Sequence, residues 1–381
     1  MRATSVLISG AGIAGSSAAY WLARRGWNVT VVEKATAIRS SGNPVDVRGG
    51  AAAIAREMGI WAKLREQATR TERLVFVDRR GRVRAAIATR KSSDPEEEVE
   101  IARADLAAAL LESVHGQAEI LHHESVTRLR QDRGGVDVEF MQVPPRRFDL
   151  VIGADGLHSN VRRIAFGPEA DFARGFAMFV GTLRTLMPVG DPRTVVMYNE
   201  PGISLSVHPA GGKPLAAFIF RSVQAFDHQD RQAPMRLLRH SYAHAGWLSP
   251  QVLAEWETAD DVYFDAVTRI RVPRWNNGRI GLLGDAADCL SLLGEGSSNA
   301  IVAAKTLSDA LKSHPDDYSA AFAAYENTHR KQLRPYLRGA TPASHFLVPA
   351  SAAGLALRNT GIRLATFPSR HRPISPHGTT P

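Results

Sequence analysis

The sequence predicts a mixed α/β (α+β) fold: a Rossmann-like βαβ nucleotide-binding domain, interrupted by an inserted β-sheet-rich domain and closed by a C-terminal helix. Three observations carry this expectation. A short apolar run at 5–9 feeds a G-A-G-I-A-G pattern at 10–15; residues 175–221 alternate apolar and polar in strand-length pieces; and a helical pattern runs over 318–338.

Residues 5–9 (S-V-L-I-S) read as a buried strand, 13–25 as a helix closed by Gly26, and 28–33 (N-V-T-V-V-E) as a second strand. Gly10 permits the tight turn, Gly12 lets a pyrophosphate approach the backbone, and Gly15 lets the helix pack closely on the strand. Ile13 and Ala14 open that helix, whose N–H groups and positive dipole end favour phosphate. Glu33, roughly 20 residues on, is placed to accept from a ribose hydroxyl, with Lys34 beside it as a further candidate contact.

Residues 49–67 look helical, and 74–88 hold two short strands around Gly81. An acidic loop at 94–98 precedes a helix at 104–114, and 118–140 alternates like a β-meander. The run at 148–153 (F-D-L-V-I-G) suits a buried parallel strand. Turn signals at Pro188 to Pro192, Pro201-Gly202 and Gly211-Gly212 divide the strands of 175–221, and helical patterns at 234–245 and 250–257 close the insertion. A strand at 261–272, the last nucleotide-domain strand at 278–284 and helices at 298–312 and 318–338 complete the chain. The expected domains are 1–73, 99–171 and 273–315 for the nucleotide, 74–98 and 172–272 for a substrate-binding sheet, and 316–381 for the C-terminal helix and tail. There is no internal repeat and no second G-x-G-x-x-G.

At 381 residues and 44% apolar content the chain can build more than one core. The 47 basic and 38 acidic residues differ by 47 − 38 = 9, but the basic ones are scattered, with no stripe interleaved with aromatics, so nucleic acid is not an expected partner. Arg358, Arg363, Arg370 and Arg372 lead into a Pro/Ser/Thr/Gly tail expected to be solvated. With no signal-like or spanning run, the expectation is a cytoplasmic protein with no membrane partner. Cys289 stands alone, so no intramolecular disulfide or C-x-x-C pair can form; no metal ligands stand out, and redox chemistry would need a bound cofactor.

Two further motifs say which cofactor. G-D-A-A at 284–287 ends a buried strand and leads to Gly294-Glu295-Gly296-Ser297 at a helix start. Asp285 there can hold a ribityl hydroxyl, Gly294 and Gly296 let a planar ring lie against the backbone, and the helix start at Ser297 favours negative charge such as a reduced flavin carries. G-A-D-G-L-H-S-N-V-R at 153–162 makes a similar strand-to-loop turn at Asp155-Gly156, with Arg162 available to a phosphate.

In this order the three motifs resemble those of the single-component FAD-dependent aromatic hydroxylases, the group A flavoprotein monooxygenases. I-A-R-A-D-L at 101–106 resembles the family segment in which an arginine, here Arg103, approaches the flavin, and 275–287 (W-N-N-G-R-I-G-L-L-G-D-A-A) resembles the approach to its G-D motif. The length and the long C-terminal helix look like the tetracycline-hydroxylase-like and polyketide-tailoring branch. The resemblance implies a para-hydroxybenzoate-hydroxylase-like fold, non-covalent FAD, NADPH or NADH as co-substrate, and O2. It also implies hydroxylation of an aromatic or polyketide-like small molecule through a flavin C4a-hydroperoxide, by a monomer or homodimer. His208 is the candidate proton acceptor from a phenol, and Arg184, Tyr198, Phe218 and Arg221 are candidate pocket residues on the inserted sheet. Residues 346–348 are expected to cover the site.

This chain departs from the family at Asp288, where a histidine is usual, and at Ser291-Leu292, where a proline is usual. Glu295 is expected to point away from the flavin, and Cys289 to be a buried filler rather than a covalent flavin link. Other flavin reactions stay open: epoxidation, Baeyer–Villiger insertion, reduction or halogenation, the last disfavoured because W-x-W-x-I-P is missing. A non-redox cyclase or binder with structural FAD is the remaining alternative.

Overall fold

A computed structural model describes residues 4–36, 43–88, 97–187, 190–209, 213–292 and 296–365. Gly211-Gly212, Gly294 and Glu295 lie outside them, as does the acidic loop up to residue 96. The chain opens with β1 (Ser5–Ser9), α1 (Ile13–Ala23) and β2 (Asn28–Glu33), then β3 (Val45–Arg48), α2 (Gly50–Glu57) and α3 (Trp61–Glu66). The single helix expected at 49–67 is therefore two, broken where Gly59 takes φ +77°.

Next come β4 (Arg73–Val77), β5 (Val83–Ala88), β6 (Glu98–Ile101) and α4 (Arg103–Glu112). They are followed by β7 (Glu119–His122), β8 (Val126–Gln131), β9 (Val136–Phe140), β10 (Arg146–Phe148), β11 (Leu150–Gly153) and α5 (Asn160–Ala165). The meander expected at 118–140 is only partly present. β7 pairs in parallel with β2, and only β8, β9 and β10 form an antiparallel sheet. The break falls at His123, with φ 58°, and at the buried Glu124, whose carboxylate accepts from the N–H groups of Ser125, Met141, Gln142 and Val143.

The middle of the chain supplies β12 (Ala173–Arg184), β13 (Thr194–Glu200), β14 (Ile203–His208), β15 (Leu215–Arg221), α6 (Ala233–Tyr242), α7 (Ser249–Thr258) and β16 (Val262–Arg271). The last part gives β17 (Asn276–Asn277), β18 (Ile280–Leu282), β19 (Asp288–Leu290), α8 (Gly296–Ser313), α9 (Tyr318–Arg338), α10 (Ala340–Leu347) and α11 (Ala352–Ala365).

A six-stranded sheet in the order β17-β18-β11-β1-β2-β7 carries the nucleotide-binding pattern, its central strands parallel and fully buried. An eight-stranded sheet runs β19-β16-β12-β15-β14-β13-β4-β5. One of its faces, with Leu183, Tyr198, Leu205, Phe218 and Phe220, packs under α6 and α7 on Tyr242 and Trp256. The opposite face carries Met178, Val180, Ile219 and Val267 against Val348, and Phe76, Ala85 and Met197 against Ile362 of α11.

α11 is thus docked on the large sheet through the buried Ile362, most of its other residues being exposed, and the Pro/Ser/Thr/Gly tail beyond Ala365 lies outside the described residues. Arg358 lies 4.1 Å over the Phe76 ring and donates to Asn199 Oδ1 and to the Phe346 carbonyl, and Arg363 donates to the Arg84 carbonyl. Arg370 and Arg372 lie outside the described residues. No described helix is long and apolar enough to cross a membrane.

Candidate active site

The three sequence motifs meet at the C-terminal ends of β1, β11 and β18. A Cβ on Gly10, at φ +104°, would lie 2.6 Å from the Ala154 carbonyl oxygen and 2.9 Å from the Asp155 Cα. One on Gly284, at φ +63°, would lie 3.0 Å from Ala14 Cβ, and one on Gly296 would lie 3.3 Å from Asp285 Oδ1. These approaches are possible only without side chains, and they draw the first, middle and last motifs into one site. At Gly12 the situation is the reverse, since a Cβ there would meet no atom within 4 Å. The backbone at Gly12 faces open space at the start of α1, which no side chain caps and whose first turn has no acidic residue. That is the geometry of an anion-binding helix start.

Glu33 braces the glycine turn. Its Oε2 accepts from Ala11 N–H at 2.9 Å and its Oε1 from Ala35 N–H at 2.8 Å, while Lys34 is exposed beside it. Arg103 opens α4 and stands near Asp285 and Tyr263, yet makes no hydrogen bond or ion pair with another described residue. Burial pushes the Asp285 carboxyl above the usual carboxylate range, and the nearby Arg103 pulls it back. Asp285 likewise has no hydrogen-bond partner among the described residues. A cation and a buried carboxylate without hydrogen-bond partners among the described residues, beside an open helix start, suit a dinucleotide with a polar linker such as FAD. Ser297 and Ser298, both buried, start α8; Ser298 Oγ donates to the Asp46 carbonyl at 2.6 Å and ties that helix to β3.

The D-G turn is used differently. Asp155 accepts from Ser159 Oγ, Asn160 N–H and Val161 N–H and so caps α5, leaving Gly156, at φ +80°, as the permissive part of the turn. Arg162 is fully buried and donates to the carbonyls of Ala286 and Leu157 and to Glu169, so it is engaged as a bolt between two motifs rather than free for a phosphate.

The G-D loop crosses from one sheet to the other: β18 belongs to the six-stranded sheet, and β19 pairs antiparallel with β16 of the eight-stranded one. Asp288, the departure from the family pattern, is buried there in ion pairs with Arg269 at 2.5 Å and Arg330 of α9 at 3.6 Å. Cys289 is buried in the core, its thiol pushed up by burial.

On the large sheet the alternation of side chains decides which candidates reach the site. Tyr198 and Phe218 share the face under α6 and α7, where the Tyr198 hydroxyl accepts from Gly246 N–H at 2.8 Å. Both are corrected from pocket residues to core residues of the far side, because a strand reverses its faces at every residue. His208 lies on the near face, in the same set as Ser204, Ser206 and Ile219 by register. Its Nε2 is 3.0 Å from Ser206 Oγ and its buried Nδ1 has no hydrogen-bond partner among the described residues, while burial lowers its pKa to about 4. Arg184 falls on the near face at the end of β12 and donates to the Lys213 carbonyl. Arg221 donates to the carbonyls of Val348 and Ser344, bolting α10 to the sheet.

Sequence reading missed Tyr263 and Asp265, which come from an ordinary strand pattern, and the Asp288 ion pairs, which join residues far apart in the chain.

The FAD binding domain family model matches residues 3–318. A flavin-dependent monooxygenase of Legionella longbeachae is 34% identical over 325 residues, covering 84% of this chain and 83% of that protein. An uncharacterized protein of Mycobacterium tuberculosis is 36% identical over 330 residues, covering 84% and 88%. The crystal structure of the tetracycline destructase Tet(51) superposes with a TM-score of 0.83 at 27% identity, covering 96% of each chain. With its three converging motifs, this fold and these relatives, the chain belongs to the FAD-dependent monooxygenases of the single-component, group A type.

Proposed function

We propose that this monooxygenase hydroxylates an aromatic or polycyclic, polyketide-like small molecule bound between the near face of the eight-stranded sheet and the G-D loop. The observation that carries the proposal is the apolar cluster of Met178, Val180, Ile219, Val267 and Val348, which continues into Leu292 of the G-D loop and Tyr263. It offers a dry wall next to Arg103 and Asp285, as hydroxylation of a flat apolar ring requires. Tet(51) and Tet(55), two tetracycline destructases of the same architecture, are consistent with a polycyclic substrate.

When bound, FAD supplies the acceptance of hydride from NADPH or NADH and the activation of O2. Gly10, Gly12, Gly15, Ile13 and Ala14 form its phosphate-binding turn, Glu33 its ribose contact, and Arg103, Asp285, Gly296 and Ser297 its remaining frame. His208 is the candidate proton acceptor from a substrate hydroxyl: burial lowers its pKa to about 4, which keeps it neutral at pH 7 but a weak base, and Ser206 Oγ lies 3.0 Å from its Nε2. Arg221 holds α10 in place as the roof. A monomer or homodimer acting in the cytoplasm is the accompanying proposal.

The test is NADPH and NADH consumption by the FAD-loaded enzyme with a panel of phenolic and polycyclic compounds, followed by mass spectrometry under 18O2. Substrate-dependent consumption with one labelled oxygen in the product supports hydroxylation. A flavin that neither nucleotide reduces under any condition points to the non-redox alternative.

A further inference from the structure

His158, His228 and Asp265 come from three separate segments: the D-G turn, the loop between β15 and α6, and β16. No pattern in the sequence joins them. Their ligand atoms lie within 4.8 Å of one another. His158 Nε2 is 2.8 Å from Asp265 Oδ2, and His228 Nε2 is 3.8 Å from Asp265 Oδ1. A tetrahedral ion with bonds of about 2.0–2.1 Å sets its ligand atoms about 3.3 Å apart, between these two values.

From this geometry we propose that His158, His228 and Asp265 form a site for a divalent transition metal, Zn2+ in the first place, that staples the D-G turn and the β15–α6 loop to the large sheet.

The surroundings fit such a site. Asp265 is 7% exposed, while His158 and His228 are 41% and 50% exposed, so the carboxylate forms a fixed floor and a water can fill a fourth position from the open side. His158 Nδ1 lies 3.0 Å from Glu169 Oε1, which fixes Nε2 as the atom facing Asp265. Glu169 is held in turn by the buried Arg162 at 3.0 Å. A carboxylate behind a histidine ligand is the usual outer support of a metal site. The His228 ring is braced edge-on by Phe226 and His158, each with centroids 4.5 Å away. The Tyr263 hydroxyl is 3.5 Å from Asp265 Oδ2 and completes the polar lining. Two imidazoles and one carboxylate favour Zn2+, Cu2+ or Ni2+ over Mg2+ or Ca2+.

The test is isothermal titration of the FAD-loaded, chelator-treated, untagged enzyme with ZnCl2 at pH 7 in two buffers of different ionisation enthalpy. The expected result is one ion per chain and a melting temperature raised by the metal. His228→Ala, which keeps the pairs of His158 with Asp265 and Glu169 but loses the ring contacts with His158 and Phe226, should weaken binding at least about 10-fold relative to wild type; Glu169→Gln should weaken it by about 10-fold or more through the outer support. Stoichiometric binding that His228→Ala leaves intact, or no binding at micromolar Zn2+, overturns the proposal. Because binding and melting are read without substrate, either result is independent of the hydroxylation reading.

Discussion

Two alanine substitutions, three residues apart in the glycine turn, should fail in different ways. At Gly15 the added Cβ would overlap the Gly10 carbonyl oxygen and lie 3.0 Å from its carbon and 3.3 Å from Ile8 Cγ2. Its neighbours are the backbone of the turn and a β1 side chain with 0% exposure, which cannot swing away, so α1 must lift from β1. Overpacking of this kind costs about 1–3 kcal/mol, and a backbone obstacle puts Gly15→Ala at or above the upper end. Gly12 has φ −73° and ψ −171°, open to any residue, and nothing within 4 Å of the added Cβ. Gly12→Ala should therefore leave apoprotein stability within about 0.5 kcal/mol of wild type, or raise it slightly. Its cost appears only with the cofactor, where the methyl occupies the phosphate approach and weakens FAD by about 10- to 100-fold, which is about 1.4–2.7 kcal/mol. Urea unfolding of both apoproteins and FAD titration by flavin fluorescence measure the two effects. A Gly12→Ala apoprotein destabilised as much as Gly15→Ala, or one that binds FAD as wild type does, would refute the placement of the phosphate-binding turn.

Other consequences are open to measurement. His208→Gln should lower substrate turnover by about 100-fold while leaving FAD affinity unchanged, since the loss is of a proton acceptor; in wild type the acid limb of kcat should fall only as the pH approaches 4. For His158 the folded-state pKa, about 10, stands above the ordinary 6.5, so its contribution to stability is complete below pH 6.5 and lost as the pH rises toward 10. In EDTA, the melting-temperature gap between wild type and His158→Gln should shrink across that window, and a gap that is constant with pH would contradict the pairing with Asp265 and Glu169. Arg358→Ala removes the cation over Phe76 and the donors to Asn199 and Phe346, and should cost about 1–2 kcal/mol, seen first as faster proteolysis of the C-terminal helices.

The nucleotide half of the fold was legible because its signals are local. Residues 5–33 hold a strand, a glycine turn, a helix and a second strand in sequence, with Gly10 and Gly15 placed by steric need and Gly12 facing open space. The large sheet was legible as strands but not as faces. Tyr198 and Phe218 look like pocket aromatics in the chain, yet only the choice of which face α6 and α7 cover sends them to the far side. Asp155 reads as a cofactor contact because its turn is like that of Asp285, and Arg162 because a guanidinium suits a phosphate; the structure engages Asp155 in capping α5 and Arg162 in bolting two motifs together. Pairs that close over long sequence distances, such as Asp288 with Arg330 or His158 with Asp265, leave no periodicity to read. The contacts of Arg358 escaped the sequence for the same reason, since its partner is a ring some 280 residues earlier, on β4.

The central claim is that an FAD held by the converging motifs oxygenates a small molecule on the near face of the large sheet. It is tested most directly by incubating the FAD-loaded enzyme with NADPH, a phenolic polycycle and 18O2, and weighing the product, with a near-face variant, Val180→Trp, alongside. A product heavier by one 18O atom, formed by wild type and lost in Val180→Trp while FAD stays bound, is the predicted result. Equal labelled product from both proteins would contradict the placement of the substrate, and NADPH oxidation without any labelled product from the whole panel would contradict the substrate class.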